Sequence, residues 1–178
     1  MNKIPEATEK MKAFYEERTK KHIDRVIKNI QKVAVNSPHR EELIQRGKDH
    51  DASKYGEFEK PLYIWLTEFH RCKNEGIDFK YPDGAEEKVD EATGHHVHIN
   101  KHHPEAHESI NDMNEVDIIE MVCDWTAMAQ ELGDENGSAR SWADKNVGTK
   151  WKFNDGQKQL IYDTIEALEY WDSVSGGE

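Results

Sequence analysis

The sequence predicts an all-helical protein, a compact bundle of about six to seven helices, and two observations lead to this class. Apolar residues recur at intervals of three and four along most of the chain, which is the period of a helix with one buried face. Counting finds no run of alternating apolar and polar residues and no internal repeat. The 178 residues suit one domain that buries about 70% of the surface exposed by the unfolded chain. We therefore expect one helical domain over residues 1–172 and a flexible tail over 173–178.

The first helix is expected from about Pro5 to Val35, because its apolar residues keep a helical spacing while Lys and Glu fill the other face. Ser37 is then the expected N-cap of a short second helix, and Pro38 takes the first helical position. Gly47 is expected to end that helix. The polar and aperiodic stretch that follows predicts a loop or a broken helix start.

The third helix is expected over 61–73, and Gly76 should end it. A surface loop rich in Gly, Pro and Asp follows. Asp83 and Glu86 have the spacing of a capping box, which would open a fourth helix that carries most of the histidines. Because Pro104 cannot continue a helix without losing a backbone hydrogen bond, we expect a break or a fresh start there.

The fifth helix is expected over 116–132, with Asn114 as its N-cap. The next stretch is rich in loop residues and has room for one short helix near Trp142. Asn154 and Gln157 should open the last amphipathic helix.

Composition excludes several classes of protein. The net charge of −12 opposes an extended nucleic-acid surface, because most of the protein would repel a phosphate backbone. The two cysteines, Cys72 and Cys123, lie far apart within helical patterns and suggest reduced thiols. No apolar run reaches about 18 residues, and the N-terminus lacks the apolar stretch of a signal peptide. The expected location is the cytoplasm, and a homo-oligomer is left open.

The unusual feature is a set of ten histidines, eight of them between positions 50 and 107 and six of those between 95 and 107. His50 and Asp51 are adjacent, and imidazole and carboxylate are both good ligands for a divalent transition metal. His22 lies on the apolar stripe of the first helix, where a hydrogen-bonded core histidine is the alternative. Asp124 lies at the edge of the apolar stripe of the fifth helix, where an isolated charge is unfavourable. It is therefore a candidate ligand or the partner of a salt bridge.

The later histidines form two stripes on a helix, one through His95, His98 and His102 and one through His96 and His103. Members of a stripe that are seven residues apart lie about 10 Å apart along the axis, too far to share one ion on a straight helix. Two ions or a helix break would resolve this. Not all of these histidines can be ligands. For His98 and His107 the alternative is simple exposure to solvent. For the tract as a whole, the alternative is a pH-sensing or adventitious metal-binding segment.

Lys54 follows Asp51 by three residues, so one helical turn would bring its ammonium group beside the proposed metal pair. There it could hold a phosphate, with Ser53 donating a further hydrogen bond. A plain surface lysine is the alternative. Glu57 and Glu59 are candidate general bases, but their spacing does not single them out.

The order of these residues resembles the HD-domain metal-dependent phosphohydrolase superfamily. The strings HDASK (50–54), HHVHINKHH (95–103) and CDW (123–125) look closer still to a group of short HD-like proteins found in phage and bacterial genomes. Thr93-Gly94 before the histidines and Pro104 after them depart from the usual pattern of that group.

The resemblance implies an HD-like helical fold, with His22, His50, Asp51 and Asp124 binding one divalent ion. It adds His96 and either His102 or His103 for a second ion. Mn, Fe, Co, Zn and Ni all fit such ligands.

The same resemblance implies hydrolysis of a nucleotide or related phosphoester by metal-activated water. Asp51 would act as a ligand, bridging if there are two ions, and Lys54 would hold a phosphate oxygen. Two alternatives stay open: an HD-fold di-iron oxygenase, and a non-catalytic phage-type protein that binds a nucleotide or a host protein. In a phage protein the location would be the host cytoplasm.

Overall fold

The computed structural model describes residues 4–133 and 137–175. Within these ranges the chain forms seven α-helices, and the only β pairing is an isolated bridge between Val147 and Trp151. The prediction of an all-helical protein is therefore confirmed. The helices are α1 (Glu9–Ala34), α2 (Arg40–Asp49), α3 (Lys60–Glu75), α4 (Ala85–Ile99), α5 (Glu115–Leu132), α6 (Ala139–Asn146) and α7 (Asp155–Ser175).

The chain divides into two compact units that alternate along the sequence. The first consists of the described part of Met1–Lys21 together with Asp51–Asn100. The second consists of His22–His50 together with the described part of Lys101–Glu178. The expected single domain over 1–172 stays a prediction.

Each unit has its own apolar core. In the first unit, Tyr15 from the start of α1 packs with Leu62 of α3 and Val89 of α4. In the second unit, α5 is buried over most of its length, and Met121 and Val122 pack in one core with residues of α1, α2, α6 and α7. Hydrophobic burial of this kind is the main stabilising term of both cores.

Several predicted helix ends are confirmed. Gly76 ends α3 in the left-handed region at φ 67°, and its N–H bonds to the carbonyls of Cys72 and Lys73. Asn114 caps α5 and forms a capping box with Asp117. The short helix near Trp142 is α6, while the residues 134–136 before it lie outside the described part.

Asn154 and Gln157 also exchange the predicted reciprocal hydrogen bonds at the start of α7. That helix continues to Ser175, into the stretch predicted as a tail. Residues 176–178 lie outside the described part.

The predicted ends of α2 were wrong. The helix starts at Arg40, and Ser37 instead accepts a hydrogen bond from the backbone N–H of His39 in the preceding turn. Gly47 lies inside α2 and is buried. Ile30 of α1 lies so close that a Cβ atom added at Gly47 would be only 3.1 Å from its Cδ1. Glycine at this position serves close packing of α2 against α1 rather than helix termination.

The capping box predicted at Asp83 and Glu86 was also wrong, because α4 begins after Gly84 at φ 76° without a side-chain cap. The helix ends at Ile99, where the side-chain amide of Asn100 donates to the carbonyl of His96. Pro104 then opens a separate 3₁₀ turn, which confirms the predicted fresh start.

Gly47→Val is expected to lower the free energy of unfolding by about 1–3 kcal/mol, because the larger side chain must displace Ile30 or move the helix. Urea denaturation measures this change. The control is Gly94→Ala in α4, where an added Cβ has no atom within 4 Å and should raise stability by about 0.5–1 kcal/mol. Equal stabilisation by both substitutions would contradict the close packing of α2.

Two further observations concern the classes considered above. Cys72 and Cys123 are both free, as predicted, and both are also buried. Among the described residues, no helix has the length and apolar character needed to span a bilayer.

Candidate metal centre

Three predicted ligands meet in the second unit, and we call His22, His50 and Asp124 the histidine–aspartate centre. His22 lies on the inward face of α1, and its Nε2 is 3.0 Å from Oδ1 of Asp124. His50 follows the last residue of α2, and its Nε2 is 3.7 Å from the same oxygen. Both histidines are at most 5% exposed. Two nitrogens, one from α1 and one from the residue that follows α2, therefore converge on one carboxylate oxygen.

The separations of the two imidazole nitrogens from the oxygen of Asp124 are compatible with a shared divalent ion. Two ligands bonded at ~2.1 Å to one tetrahedral ion lie ~3.4 Å apart. The observed separations of 3.0 and 3.7 Å from the carboxylate oxygen bracket that value. Imidazole nitrogen with carboxylate oxygen is also the donor set that borderline divalent transition metals prefer. The donor types and these two separations thus suit such an ion.

A further carboxylate, Glu120, lies against the other side of the same histidines. Nδ1 of His50 is 2.9 Å from Oε1 of Glu120, and Nδ1 of His102 is 3.4 Å from the same oxygen. The side chain of Glu120 is only 2% exposed. Its donor atom lies within 4.8 Å of those of His50 and His102, so these three residues form a buried group able to hold a metal ion.

Sequence reasoning missed Glu120, although its position carried a signal. It precedes Asp124 by four residues on α5, and residues four apart share a face of a helix. His103 lies next to this group, because its ring centroid is 4.2 Å from that of His102.

Arg46 of α2 forms an ion pair with the second carboxylate oxygen of Glu120. Its Nη2 is 2.5 Å from Oε2 of Glu120, and its Nη1 is 2.9 Å from Oδ1 of Asp117. Both carboxylates have side chains that are 2% exposed, and the guanidinium side chain is 22% exposed. One arginine therefore compensates two buried carboxylates that lie one turn apart on α5.

The surroundings keep these carboxylates ionised. Burial raises the pKa of Glu120, but hydrogen bonds from His102 and His50 outweigh burial and lower that pKa to about 2. Burial likewise raises the pKa of Asp124, and hydrogen bonds from His22 and His50 bring it well below its usual range. Both groups are anionic at neutral pH, as metal binding requires.

The first unit holds a second group of predicted residues, the Asp51 cluster, which consists of Asp51, Ser53, Lys54, Glu59 and His96. Asp51 is 1% exposed and adopts a left-handed backbone at φ 56°. It is the only non-glycine residue in the described ranges with a positive φ. Backbone strain of this kind often accompanies a functional position. The ammonium of Lys54 is 2.6 Å from Oδ2 of Asp51, and Nε2 of His96 is 3.2 Å from Oδ1.

Glu59 anchors the other side of the Asp51 cluster. Its Oε2 lies 3.1 Å from Nδ1 of His96 and accepts a 2.8 Å hydrogen bond from the hydroxyl of Ser53. Its Oε1 is 2.7 Å from Nδ1 of His95. Burial lowers the pKa of His96, but hydrogen bonds to Asp51 and Glu59 raise it above its usual value. His96 thus lies between two buried carboxylates.

The predicted site residues divide between the units. His22, His50, His102, His103 and Asp124 belong to the second unit, and Asp51, Lys54 and His96 belong to the first.

Two histidines of the tract make other contacts. His98 is exposed, as its alternative role predicted, and bonds to the carbonyl of Gly94. His107, by contrast, has a side chain that is only 10% exposed, and it bonds to the carbonyl of Lys101.

Fold and site together define an all-helical protein with buried histidine–carboxylate groups that can hold a metal ion. The chain belongs to a family of unknown function (DUF5662), whose model matches residues 11–167. No curated protein and no solved structure matches the chain.

Proposed function

We propose that this protein is a metal-dependent phosphohydrolase that acts on a nucleotide or a related phosphoester. The observation that carries the proposal is the convergence of His22 Nε2 and His50 Nε2 on one oxygen of Asp124. These residues also occupy the H…HD…D positions of the HD-domain resemblance. We assign a divalent transition metal, Mn, Fe, Co, Zn or Ni, to this centre. When bound, such an ion supplies a water of lowered pKa and stabilises charge that develops on a phosphate.

Lys54 is the residue proposed to bind the phosphate. Its ammonium is held by the buried carboxylate of Asp51 and lies 5.5 Å from the centroid of the Tyr63 ring, while 20% of its side chain is exposed. A cation fixed in this way is well suited to pair with a phosphate oxygen. Ser53 does not share this role, because its hydroxyl donates to Glu59.

Two exposed aromatic residues support a nucleotide as the substrate. Tyr55 directly follows Lys54 and Phe58 comes three residues later, and the two are 45% and 49% exposed. The Phe58 ring meets that of His95 edge-on at 4.9 Å between centroids. Exposed aromatic faces bind nucleobases by stacking, typically by about 1–3 kcal/mol per base. A nucleotide could therefore place its phosphate on Lys54 and stack its base on Tyr55 or Phe58, which lie within four residues of Lys54.

Asp51 and His96 are a second pair of proposed metal donors. Their donor atoms lie 3.2 Å apart, a separation of the same size as in the histidine–aspartate centre. Asp51 is a ligand in this proposal, and the Nδ1 atom of His96 is oriented by Glu59. The metal-to-protein ratio decides between one ion and two. A cytoplasmic location, in the host if the protein is phage-encoded, is part of the proposal, and a homo-oligomer stays open.

The proposal is tested by measuring metal content after gentle purification and phosphate release from a nucleotide panel with Mn²⁺, Co²⁺ or Fe²⁺. We expect bound metal and release of phosphate from at least one nucleotide. Oxygen uptake by the iron-loaded protein without phosphate release would indicate the di-iron oxygenase instead. A protein that retains no metal and hydrolyses nothing would favour the non-catalytic binding protein.

Lys54→Met is expected to lower kcat/KM for the active nucleotide by roughly 10- to 100-fold, because one charge-assisted hydrogen bond to phosphate is lost. Metal content should not change. Lys54→Arg should retain most of the activity, and Lys48→Ala on the exposed side of α2 should retain all of it. Unaltered kcat/KM in Lys54→Met would remove Lys54 from the phosphate site.

A further inference from the structure

Glu120 makes contacts that suit an outer-sphere role at the histidine–aspartate centre. Its Oε1 lies 2.9 Å from Nδ1 of His50 and 3.4 Å from Nδ1 of His102. The opposite nitrogen of His50, Nε2, is the one that points to Asp124. Histidines that bind a metal commonly donate their second N–H to a carboxylate, which sets the tautomer and the ring orientation. Glu120 is placed to do this for two rings at once.

The second oxygen of Glu120 argues against a direct bond to the ion. Arg46 Nη2 is 2.5 Å from Oε2, so a permanent cation is already paired with this carboxylate. Its other oxygen, Oε1, already faces Nδ1 of His50 and Nδ1 of His102, so the carboxylate is engaged on both sides. Asp124, by contrast, faces two imidazoles, those of His22 and His50. Asp124 is therefore the carboxylate that faces the metal position, and Glu120 is the carboxylate that accepts hydrogen bonds from the ring N–H groups.

The Asp51 cluster repeats the arrangement with different residues. Nε2 of His96 faces Asp51 at 3.2 Å, and Nδ1 of the same ring faces Glu59 at 3.1 Å. In both units, therefore, a buried histidine has an aspartate at Nε2 and a glutamate at Nδ1. A recurring pattern of this kind indicates a common role for the glutamates.

We infer that Glu120 is a positioning residue that selects Nε2 as the metal-binding nitrogen of His50 and orients His102. The inference rests on the proposed metal centre and concerns how that centre is set up. Glu120 acts through the two imidazoles and does not contact the ion. Arg46 supports it by neutralising the carboxylate oxygen that is turned away from the rings.

The test compares Glu120→Ala with Glu120→Gln in the full-length chain, with Co²⁺ as the probe. Glu120→Ala should weaken Co²⁺ binding by roughly 10- to 100-fold, the usual effect of removing an outer-sphere partner. Glu120→Gln keeps an amide oxygen that can accept from Nδ1–H, so its affinity should recover to within a few-fold of wild type. The visible absorption spectrum of bound Co²⁺ should be the same in wild type and Glu120→Gln, because the ligands are unchanged.

A matched control is Glu131→Ala on the same helix. Its side chain is 15% exposed and pairs with Arg25 of α1. Glu131→Ala should retain wild-type Co²⁺ affinity even if it lowers stability. This separates loss of positioning from general loosening of α5.

Each other outcome overturns a defined claim. Equal losses in both Glu120 variants with an altered spectrum would make Glu120 a direct ligand and overturn the positioning role. Wild-type affinity in Glu120→Ala would also overturn it, while leaving the metal centre in place. Failure of the wild-type protein to bind Co²⁺ would instead overturn the proposed metal centre itself.

Discussion

His50→Ala is expected to abolish stable metal binding, with a loss of affinity of at least about 100-fold. Removing an outer-sphere partner already weakens binding by roughly 10- to 100-fold, and loss of a direct ligand should exceed that range. His50 is the residue that joins the parts of the centre, because Nε2 faces Asp124 and Nδ1 faces Glu120. Co²⁺ titration and elemental analysis of the purified variant measure the effect.

The control for His50→Ala is His98→Ala, which removes an exposed histidine of the tract that bonds to the Gly94 carbonyl of its own helix. Its metal content should equal that of wild type. If His98→Ala lost as much metal as His50→Ala, the tract would be an adventitious binder rather than a built site. Asp51→Ala is a separate arm of the experiment, and equal metal in that variant and wild type would remove Asp51 from the ligand set.

The second large effect is expected from Arg46→Ala, which should lower the free energy of unfolding of the metal-free protein by about 3 kcal/mol. Removing one partner of a buried ion pair typically destabilises by about 3–5 kcal/mol, because the remaining charge is left uncompensated. Arg46 is itself partly exposed, which places the expectation at the lower end. Its two partners, Asp117 and Glu120, are buried carboxylates of the same helix. Chemical denaturation in the presence of a chelator measures the change.

Arg140→Ala is the matched control for this prediction. Arg140 also makes a bidentate contact, with Glu169, but both side chains are at least 40% exposed. Exposed pairs contribute about 0–1 kcal/mol, since water already solvates both charges. A loss of similar size in both variants would show that the burial of Asp117 and Glu120 does not set the stability contribution of Arg46.

Much of the fold could be predicted from local patterns, because helix periodicity and capping depend on neighbouring residues. Asn114 and Asn154 were correctly assigned as caps for this reason. Gly47 was misassigned because a glycine that ends a helix and one that admits a neighbouring helix look alike in sequence. Only the position of Ile30 distinguishes them.

The candidate site was predictable to a similar degree. His22, His50 and Asp124 carried a signal, because polar residues within apolar stripes need a partner. Glu120 and Glu59 were not singled out, since acidic residues are common in this chain and their importance lies in which ring nitrogen they face. That choice depends on the packing of helices that are distant in sequence.

By itself, therefore, the sequence determined the helical class, several helix ends and the chemical types of the candidate ligands, all of which depend on composition and short-range spacing. Only the tertiary structure decided which atoms meet: His22 and His50 on one oxygen of Asp124, Arg46 on Glu120, and His96 between Asp51 and Glu59. The physical reason is that these contacts join residues from different helices. Their geometry follows from how apolar faces pack, and no local pattern encodes it.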